Sequence, residues 1–483
     1  MNYRAVIRSL GIVMLAEAVF MIPSVIISLY YHEGDTASFL ATILILLVIG
    51  FPLFRIQASQ PRLFARDGFA IVALGWLVMS FFGALPFHFA GATDHFIMAL
   101  FESTSGFTTT GASIFTDVES LPRGLVFWRS FTHWIGGMGV LLLTLAILPM
   151  FGSGALHILR AESPGPSPGK LVPKIGQTAK ILYSLYIGLT LLQILLLGLA
   201  GVELFDALIH TFGSAGTGGF SNYNASVGAF DSLAVELIIG VFVLLFGVSF
   251  TLHYQLVRGR WRDVVKDAEL RLYALVVLGS ILIISWSLYS ENFASVGGSL
   301  RQAFFQVASI VTTTGYATAD FNNWPLIARI ILVALMLIGP CAGSTGGGIK
   351  MIRLLMVGRI IRREMVRIKH PQSFHTVQMG GKAVDERILH GVSAFILFYM
   401  LIMLAAILLV APDSPNLDTA VTSVIACISN IGPGLGAVGP IGNYAGFSPF
   451  SQAVLSLCMV IGRLEIFPVM ILFMPSFWRR ISI

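Results

Sequence analysis

Apolar runs of about 20 residues, long enough to cross a bilayer, recur along the chain with short polar segments between them. Between some of these runs lie apolar stretches too short to cross, each ending in a Thr/Gly/Ser-rich turn. Four such turns share one pattern: Thr109-Thr110-Gly111, Thr217-Gly218-Gly219, Thr313-Thr314-Gly315 and Asn430-Ile431-Gly432. Counting back from each third-place glycine by the same interval reaches Ala99, Ala207, Ala303 and Ala420. The shared register predicts four copies of one unit: span, half-helix, turn, span.

The fold class that follows is an all-α polytopic membrane protein. Two N-terminal spans near 6–30 and 38–55 (segment 1–60) precede four repeats, 61–160, 161–265, 266–375 and 376–483. Their spans lie near 68–90 and 124–150, 178–201 and 232–257, 270–290 and 325–357, and 386–410 and 450–474. Ten spans put both termini on one side. The first span lacks a small-residue cleavage site and is too long for a signal peptide's apolar region, so it reads as a retained helix.

Composition agrees with this class. Of 483 residues, 56% are hydrophobic and only 11% charged, against about 25% charged in soluble domains. Cys341, Cys427 and Cys458 form neither a CxxC pair nor a zinc spacing. The net charge of +6 would suit nucleic acid, but its placement marks topology instead. Arg4, Arg8, Arg55, Arg62, Arg66, the linkers Arg160–Lys180 and Arg258–Arg271, the run Arg353–Arg387, and Arg479 with Arg480 fall on one face, which is therefore cytoplasmic. Glu33, Asp35, Asp117, Glu119, Asp231, Glu291, Asp320 and Asp413 fall on the other.

The short stretches fit re-entrant half-helices, which membranes tolerate only when buried in protein or lining water. Helix C-termini carry partial negative charge, so four of them aimed at one cavity favour a cation. Asp94, Asp206 and Asp418 stand near the half-helix starts and read as acidic caps rather than ion ligands. Glycine at the third place allows backbone angles that expose carbonyls. A ring of such carbonyls can replace the hydration shell of a potassium ion, and the absence of Asp or Glu from the turns argues against a charged ring. A single turn of this kind would merely suggest close helix packing; four in register argue for a filter. Its candidate ion-contacting residues are Thr109, Thr110, Gly111, Thr217, Gly218, Gly219, Thr313, Thr314, Gly315, Asn430, Ile431 and Gly432.

These turns resemble those of the Trk/Ktr/HKT superfamily of potassium transporters. Phe101-Glu102-Ser103, Thr108-Thr109-Thr110-Gly111-Ala112, Gly218-Gly219-Phe220 and Asn430-Ile431-Gly432-Pro433-Gly434-Leu435-Gly436 match its Trk side, as do Ala161-Glu162 with Pro164-Gly165-Pro166 and Gly462-Arg463-Leu464-Glu465. Two additional N-terminal spans point to the TrkH branch. Thr314-Gly315-Tyr316 departs from an expected Ala-Gly-Phe but keeps the glycine. The resemblance implies potassium as the permeant ion, a homodimer in the inner membrane of a bacterium, and a cytoplasmic nucleotide-binding TrkA-like ring on the basic face. This chain itself carries no nucleotide-binding domain.

The run after the third turn is too long for one straight crossing and is interrupted at Gly339–Gly348. Proline removes a helix donor and glycine weakens helix propensity, and unwound backbone at this depth must line a cavity. Arg463 stands among apolar residues, where an arginine costs about 2.5–3.5 kcal/mol on insertion scales. Its partner is either the carbonyls of the broken segment or Glu465. The resemblance makes Gly343, Ser344, Thr345, Gly346, Gly347 and Gly348 an intramembrane gating loop and Arg463 the residue that holds it. Lys350 is expected to extend to the cytoplasmic interface.

Other signals are set aside. Gly343–Lys350 has Ile349 where a P-loop needs lysine, and Gly434–Gly439 matches GxGxxG outside any βαβ unit. His133 is expected to pack helices. No spacing suggests a catalytic triad, so the chain does not read as an enzyme. The competing reading is a secondary transporter coupling a cation to another solute, which usually shows two related halves rather than four quarters.

Overall fold

A computed structural model of the chain describes residues 1–57, 65–139, 175–291, 295–370, 376–379 and 382–478. Arg62, Arg160, Lys170, Lys174, Arg479, Arg480, the Ala161–Pro166 motif and the end of the expected 124–150 span lie outside the described residues.

Apart from a two-stranded ribbon, β1 Gln378–Met379 against β2 Lys382–Ala383, the described elements are helices. Two long ones open the chain, α1 Tyr3–Tyr30 and α2 Thr36–Arg55. The first repeat holds α3 Ala65–Gly83, α4 Leu85–Phe89, the half-helix α5 Phe96–Phe107 and α6 Arg123–Gly137. The second holds α7 Ile175–Leu199, the half-helix α8 Leu204–Gly216, α9 Leu233–Phe246, α10 Phe250–Val257 and α11 Trp261–Lys266. The third holds α12 Ala268–Ser290, the half-helix α13 Val296–Val311, α14 Leu326–Ile338 and α15 Met351–Lys369. The fourth holds α16 Glu386–Val410, the half-helix α17 Leu417–Ile428, α18 Pro449–Arg463, α19 Phe467–Met470 and α20 Pro475–Trp478.

Six of the described helices are long and apolar enough to cross a membrane, and eight if each bent pair counts as one span. Straight second spans were expected everywhere but in the third repeat, and here the structure differs. α9 and α10 meet at 99°, and α18 and the chain after it, Phe467–Phe473, meet at 117°. Gly247 and the left-handed Glu465 and Ile466 stand at these breaks. A continuous apolar run hides such a bend, because hydropathy does not report where backbone hydrogen bonds go.

The half-helices occupy the interior. Ala99, Ala207, Ala303 and Ala420, the positions that fixed the register, are all buried, as are Phe101, Phe107, Trp76 and Trp128 around α5. The long first spans of the second, third and fourth repeats face outward. Leu191 and Leu195 on α7, Leu275, Leu278 and Leu282 on α12, and Leu401 and Leu408 on α16 are exposed. Water would penalise such a surface, whereas acyl chains suit a helix whose backbone is internally satisfied.

Asp206 and Asp418 stand in the first turns of α8 and α17, and Asp94 just before α5, but none of the three is the N-cap residue. α17 is capped by Asn416, which accepts from Thr419 N–H at 2.8 Å, and α13 by Ser295, which accepts from Gly298 N–H at 3.2 Å. Asp206 instead accepts from Asn222 Nδ2 at 2.9 Å and Tyr223 Oη at 2.6 Å, tying the chain after the second turn to its own half-helix. The sorting of basic residues also omitted Arg123, Arg129, Arg301 and, on α14, Arg329. The first three are absorbed by neighbours: Arg129 by Glu102, Arg301 by Glu236 at 2.7 Å, and Arg123 over the Tyr31 ring at 4.1 Å.

Candidate functional site: four glycine turns above an interrupted helix

All four half-helices end the same way. The residue two before each glycine is left-handed: Thr109, Thr217, Thr313 and Asn430 have φ between 54° and 59°. The next N–H reaches back five residues. Thr110 bonds Ser105 O at 2.8 Å, Gly218 bonds Gly213 O at 2.8 Å, Thr314 bonds Ser309 O at 2.9 Å and Ile431 bonds Ala426 O at 2.8 Å. This is a Schellman ending, whose left-handed position is usually glycine. Three threonines and an asparagine hold it here, at about 1–2 kcal/mol each. A strained geometry repeated four times is held by its surroundings.

The glycines then close a ring. Gly111, Gly219, Gly315 and Gly432 all have positive φ, from 76° to 94°. A Cβ on Gly111 would collide with Gly218 O, one on Gly219 with Thr314 O, and one on Gly315 with Ile431 O. A Cβ on Gly432 would stand 2.8 Å from Thr110 O. Each glycine therefore abuts the carbonyl that precedes the next turn's glycine, and the fourth returns to the first. The four carbonyls belong to Thr110, Gly218, Thr314 and Ile431. Above them a cavity of about 250 Å³ is lined by all four glycines and by Arg129.

Side chains brace the ring from behind. Asn430 Nδ2 donates to Thr110 Oγ1 at 3.0 Å and to Met459 O at 2.9 Å, joining the fourth turn to the first. Tyr316 Oη donates to His210 O at 2.9 Å and Phe220 O at 3.3 Å, joining the third turn to the second. The tyrosine that departed from the expected phenylalanine thus has a structural task. His133 donates through Nδ1 to Gly106 O at 2.8 Å, and its ring packs on Phe220 with centroids 4.2 Å apart. Arg129 pairs with Glu102 and reaches Ser221 O at 2.9 Å, while Glu102 accepts from Ile114 N–H at 2.9 Å. One buried ion pair therefore grips the chain beyond both the first and second turns. Nothing in the sequence pattern singled out Arg129. Tyr444 Oη donates to Gly432 O at 2.7 Å. Tyr444→Phe is expected to lower thermal stability in detergent by about 1 kcal/mol, the net worth of one hydrogen bond, without loss of assembly; unchanged unfolding would show this bond to be dispensable.

Beneath the turns runs the interrupted segment. α14 ends at Gly339 (φ 71°) and α15 begins after Lys350 (φ 79°). Its backbone groups find partners in the other repeats. Cys341 N–H bonds Gly247 O at 3.0 Å and Gly343 O accepts from Phe250 N–H at 3.0 Å, so the break in the second repeat receives the break in the third. Gly347 N–H donates to Thr313 Oγ1 at 2.7 Å. A Cβ on Gly346 would stand 2.6 Å from Thr312 O, and one on Gly347 would collide with Ser429 O. The segment therefore lies directly against the ends of α13 and α17.

Arg463 reaches this segment: Nη1 donates to Thr345 O at 2.6 Å, and Nη2 to Gly136 O at 2.7 Å. A loop carbonyl, one of the two partners open in the sequence, is thus reached. Glu465 pairs with Arg353, whose guanidinium stacks 3.9 Å from the Phe395 ring centroid. Lys350 does not extend to the interface. It is 2% exposed and folds back to donate to Gly346 O, because an unwound carbonyl is a nearer acceptor than the aqueous edge. Of the named gate residues, Ser344 bonds only within the segment, to Cys341 O at 2.6 Å. Gly348, with φ 72°, packs on Gly339. Among the described residues no group of three His, Cys, Asp or Glu side chains could hold a metal.

This geometry has known relatives. The chain matches the TrkH family, described as cation transport proteins, over residues 35–480. It is 39% identical to the Trk system potassium uptake protein TrkH of Salmonella typhimurium, with 99% of this chain and 100% of that one aligned. It is 35% identical to the potassium uptake protein TrkG of Escherichia coli over 99% of both chains. The crystal structure of the potassium transporter TrkH from Vibrio parahaemolyticus superimposes with a TM-score of 0.88 at 35% identity, covering 99% of this chain and 100% of that one. The chain belongs to the TrkH family of cation transport proteins.

Proposed function

We propose that the chain conducts potassium inward across the inner membrane of a bacterium through a filter formed by the four turns. The observation that supports this most is the closed sequence of glycine-to-carbonyl contacts from Gly111 round to Gly432. Carbonyls of Thr110, Gly218, Thr314 and Ile431 replace water around a dehydrated monovalent ion. The negative ends of four half-helices add to the attraction. No carboxylate belongs to the turns themselves, so neutral dipoles carry the selectivity.

The segment 339–350 acts as the gate. It closes the path beneath the turns, and Arg463 places a cationic guanidinium, and Lys350 an amine, on its carbonyls. A cation there opposes a permeant cation by charge as well as by holding the loop. α15 leads from this loop to a basic surface carrying Arg359, Arg362, Arg367 and Lys369, with Ile361, Met365 and Ile368 exposed beside them. That face suits a cytoplasmic nucleotide-binding TrkA-like ring, and the working assembly is a homodimer.

The test is rubidium flux into potassium-loaded liposomes containing the purified protein. Uptake that potassium blocks, that sodium does not, and that needs no second solute supports the filter. Uptake that depends on a co-substrate supports a secondary transporter. If charge reversal of Arg362 and Lys369 leaves both assembly with a TrkA-like subunit and its nucleotide response intact, the ring docks elsewhere.

A further inference from the structure

We propose that Glu269 is a second latch on the interrupted segment, a positioning residue that ties its entrance to its exit. This rests on the gate reading above. α12 is capped by Asp267, which accepts from Leu270 N–H at 2.9 Å, and this leaves Glu269 in the first turn free to turn sideways. Its Oε1 accepts from Ala342 N–H at 2.6 Å and from Ile352 N–H at 3.0 Å. Ala342 stands in the first part of the unwound stretch, three residues after Gly339, and Ile352 is the second residue of α15. One carboxylate oxygen therefore bridges both ends of the loop.

The placement has a physical logic. The first N–H groups of a helix have no intrahelical partner. α15 supplies nothing for its own: Lys350 stands at the cap without a capping side chain, and no acidic residue occupies the first turn. The helix is otherwise rich in arginine. A carboxylate suits the positive end of the helix dipole, and hydrogen bonds to an ionised acceptor are roughly twice as strong as neutral ones. Glu269 supplies a carboxyl acceptor there from a different helix. α15 cannot shift along its axis, or pull the loop away from the turns, without breaking these bonds. Farther along the helix, side-chain ties join Arg353 to Glu465, Arg359 to Gln378 O and Arg363 to Glu386, the last at 2.6 Å. Met351 N–H also donates directly to Pro340 O at 3.0 Å; Glu269 adds to this a side chain that reaches both Ala342 and Ile352. A pull on the basic end of α15 would release Glu269 at the moment the gate opens.

The experiment compares basal rubidium flux, without regulatory subunit, in liposomes carrying wild type, Glu269→Gln, Glu269→Ala and a variant lacking Gly346–Gly348. Glutamine keeps an acceptor but loses the charge, and should raise flux about threefold; alanine loses both and should raise it about tenfold, which corresponds to about 1.4 kcal/mol. Potassium-over-sodium preference should not change in either. Cys341, buried in the wild type, should react faster with a maleimide, as read at that residue by peptide mass spectrometry. Glu269→Ala combined with the deletion should leak no more than the deletion alone. If the deletion leaks while neither Glu269 variant does, the latch is wrong and the gate stands. If none of the three leaks, the gate assignment fails and the latch with it. Leak accompanied by lost selectivity would mark general damage and overturn the latch. Should the alanine variant fail to assemble, the near-isosteric glutamine variant decides.

Discussion

Serine in place of Gly111, Gly219 or Gly315 is expected to cost about 100-fold in discrimination between rubidium and sodium, equivalent to about 2.7 kcal/mol. Two effects add. Each glycine has positive φ, where a side chain is strained. Each also abuts a carbonyl of the adjacent turn, so a new Cβ collides with Gly218 O, Thr314 O or Ile431 O. The carbonyl has to move, and a ring built to one radius no longer fits one ion. Gly188, with nothing within 4 Å of its Cβ position, is the control: Gly188→Ser should leave selectivity intact. The measurement is relative sodium and rubidium uptake by reconstituted variants that elute as the wild type does. Unchanged preference in all three turn variants would remove the filter from these turns.

Arg463→Gln is expected to raise flux at least about tenfold in the absence of any regulatory subunit, about 1.4 kcal/mol of lost closed-state preference. The guanidinium joins two repeats at once, donating to Thr345 O in the third and Gly136 O in the first. Glutamine has one amide and cannot reach both. It also removes a charge from the conduction path. Hydrogen bonds from a charged group contribute about 1.5–3 kcal/mol each, so tenfold is a cautious figure. Arg463→Lys keeps the charge without the planar fork and should leak less than the glutamine variant. A correctly assembled Arg463→Gln with flux unchanged or reduced would make Arg463 a structural residue and move the gate elsewhere.

How much of this was legible beforehand follows from what hydropathy and backbone chemistry can encode. The four half-helices were readable because an apolar stretch and a glycine recur at one interval, and Ala99, Ala207, Ala303 and Ala420 at that interval are all buried. Gly339–Gly348 was readable because proline and five glycines cannot continue a helix. The breaks at Gly247 and Ile466 were not, since one glycine or none inside an apolar run gives no comparable signal. The order in which the turns meet was equally hidden; it appears only when Gly111 is seen against Gly218 and Gly432 against Thr110. Arg129, Tyr444 and Glu269 escaped notice because each acts across a long sequence separation on a backbone group. Lys350 was misplaced because interface extension is the usual fate of a lysine near a helix end, and here an unwound carbonyl stands closer.

The most direct test of the central claim is anomalous scattering from crystals grown in rubidium. The account predicts a rubidium peak on the axis between the carbonyls of Thr110, Gly218, Thr314 and Ile431, displaced by added potassium and retained in equal sodium. A peak absent from that ring, or one that sodium displaces as readily as potassium does, would contradict it.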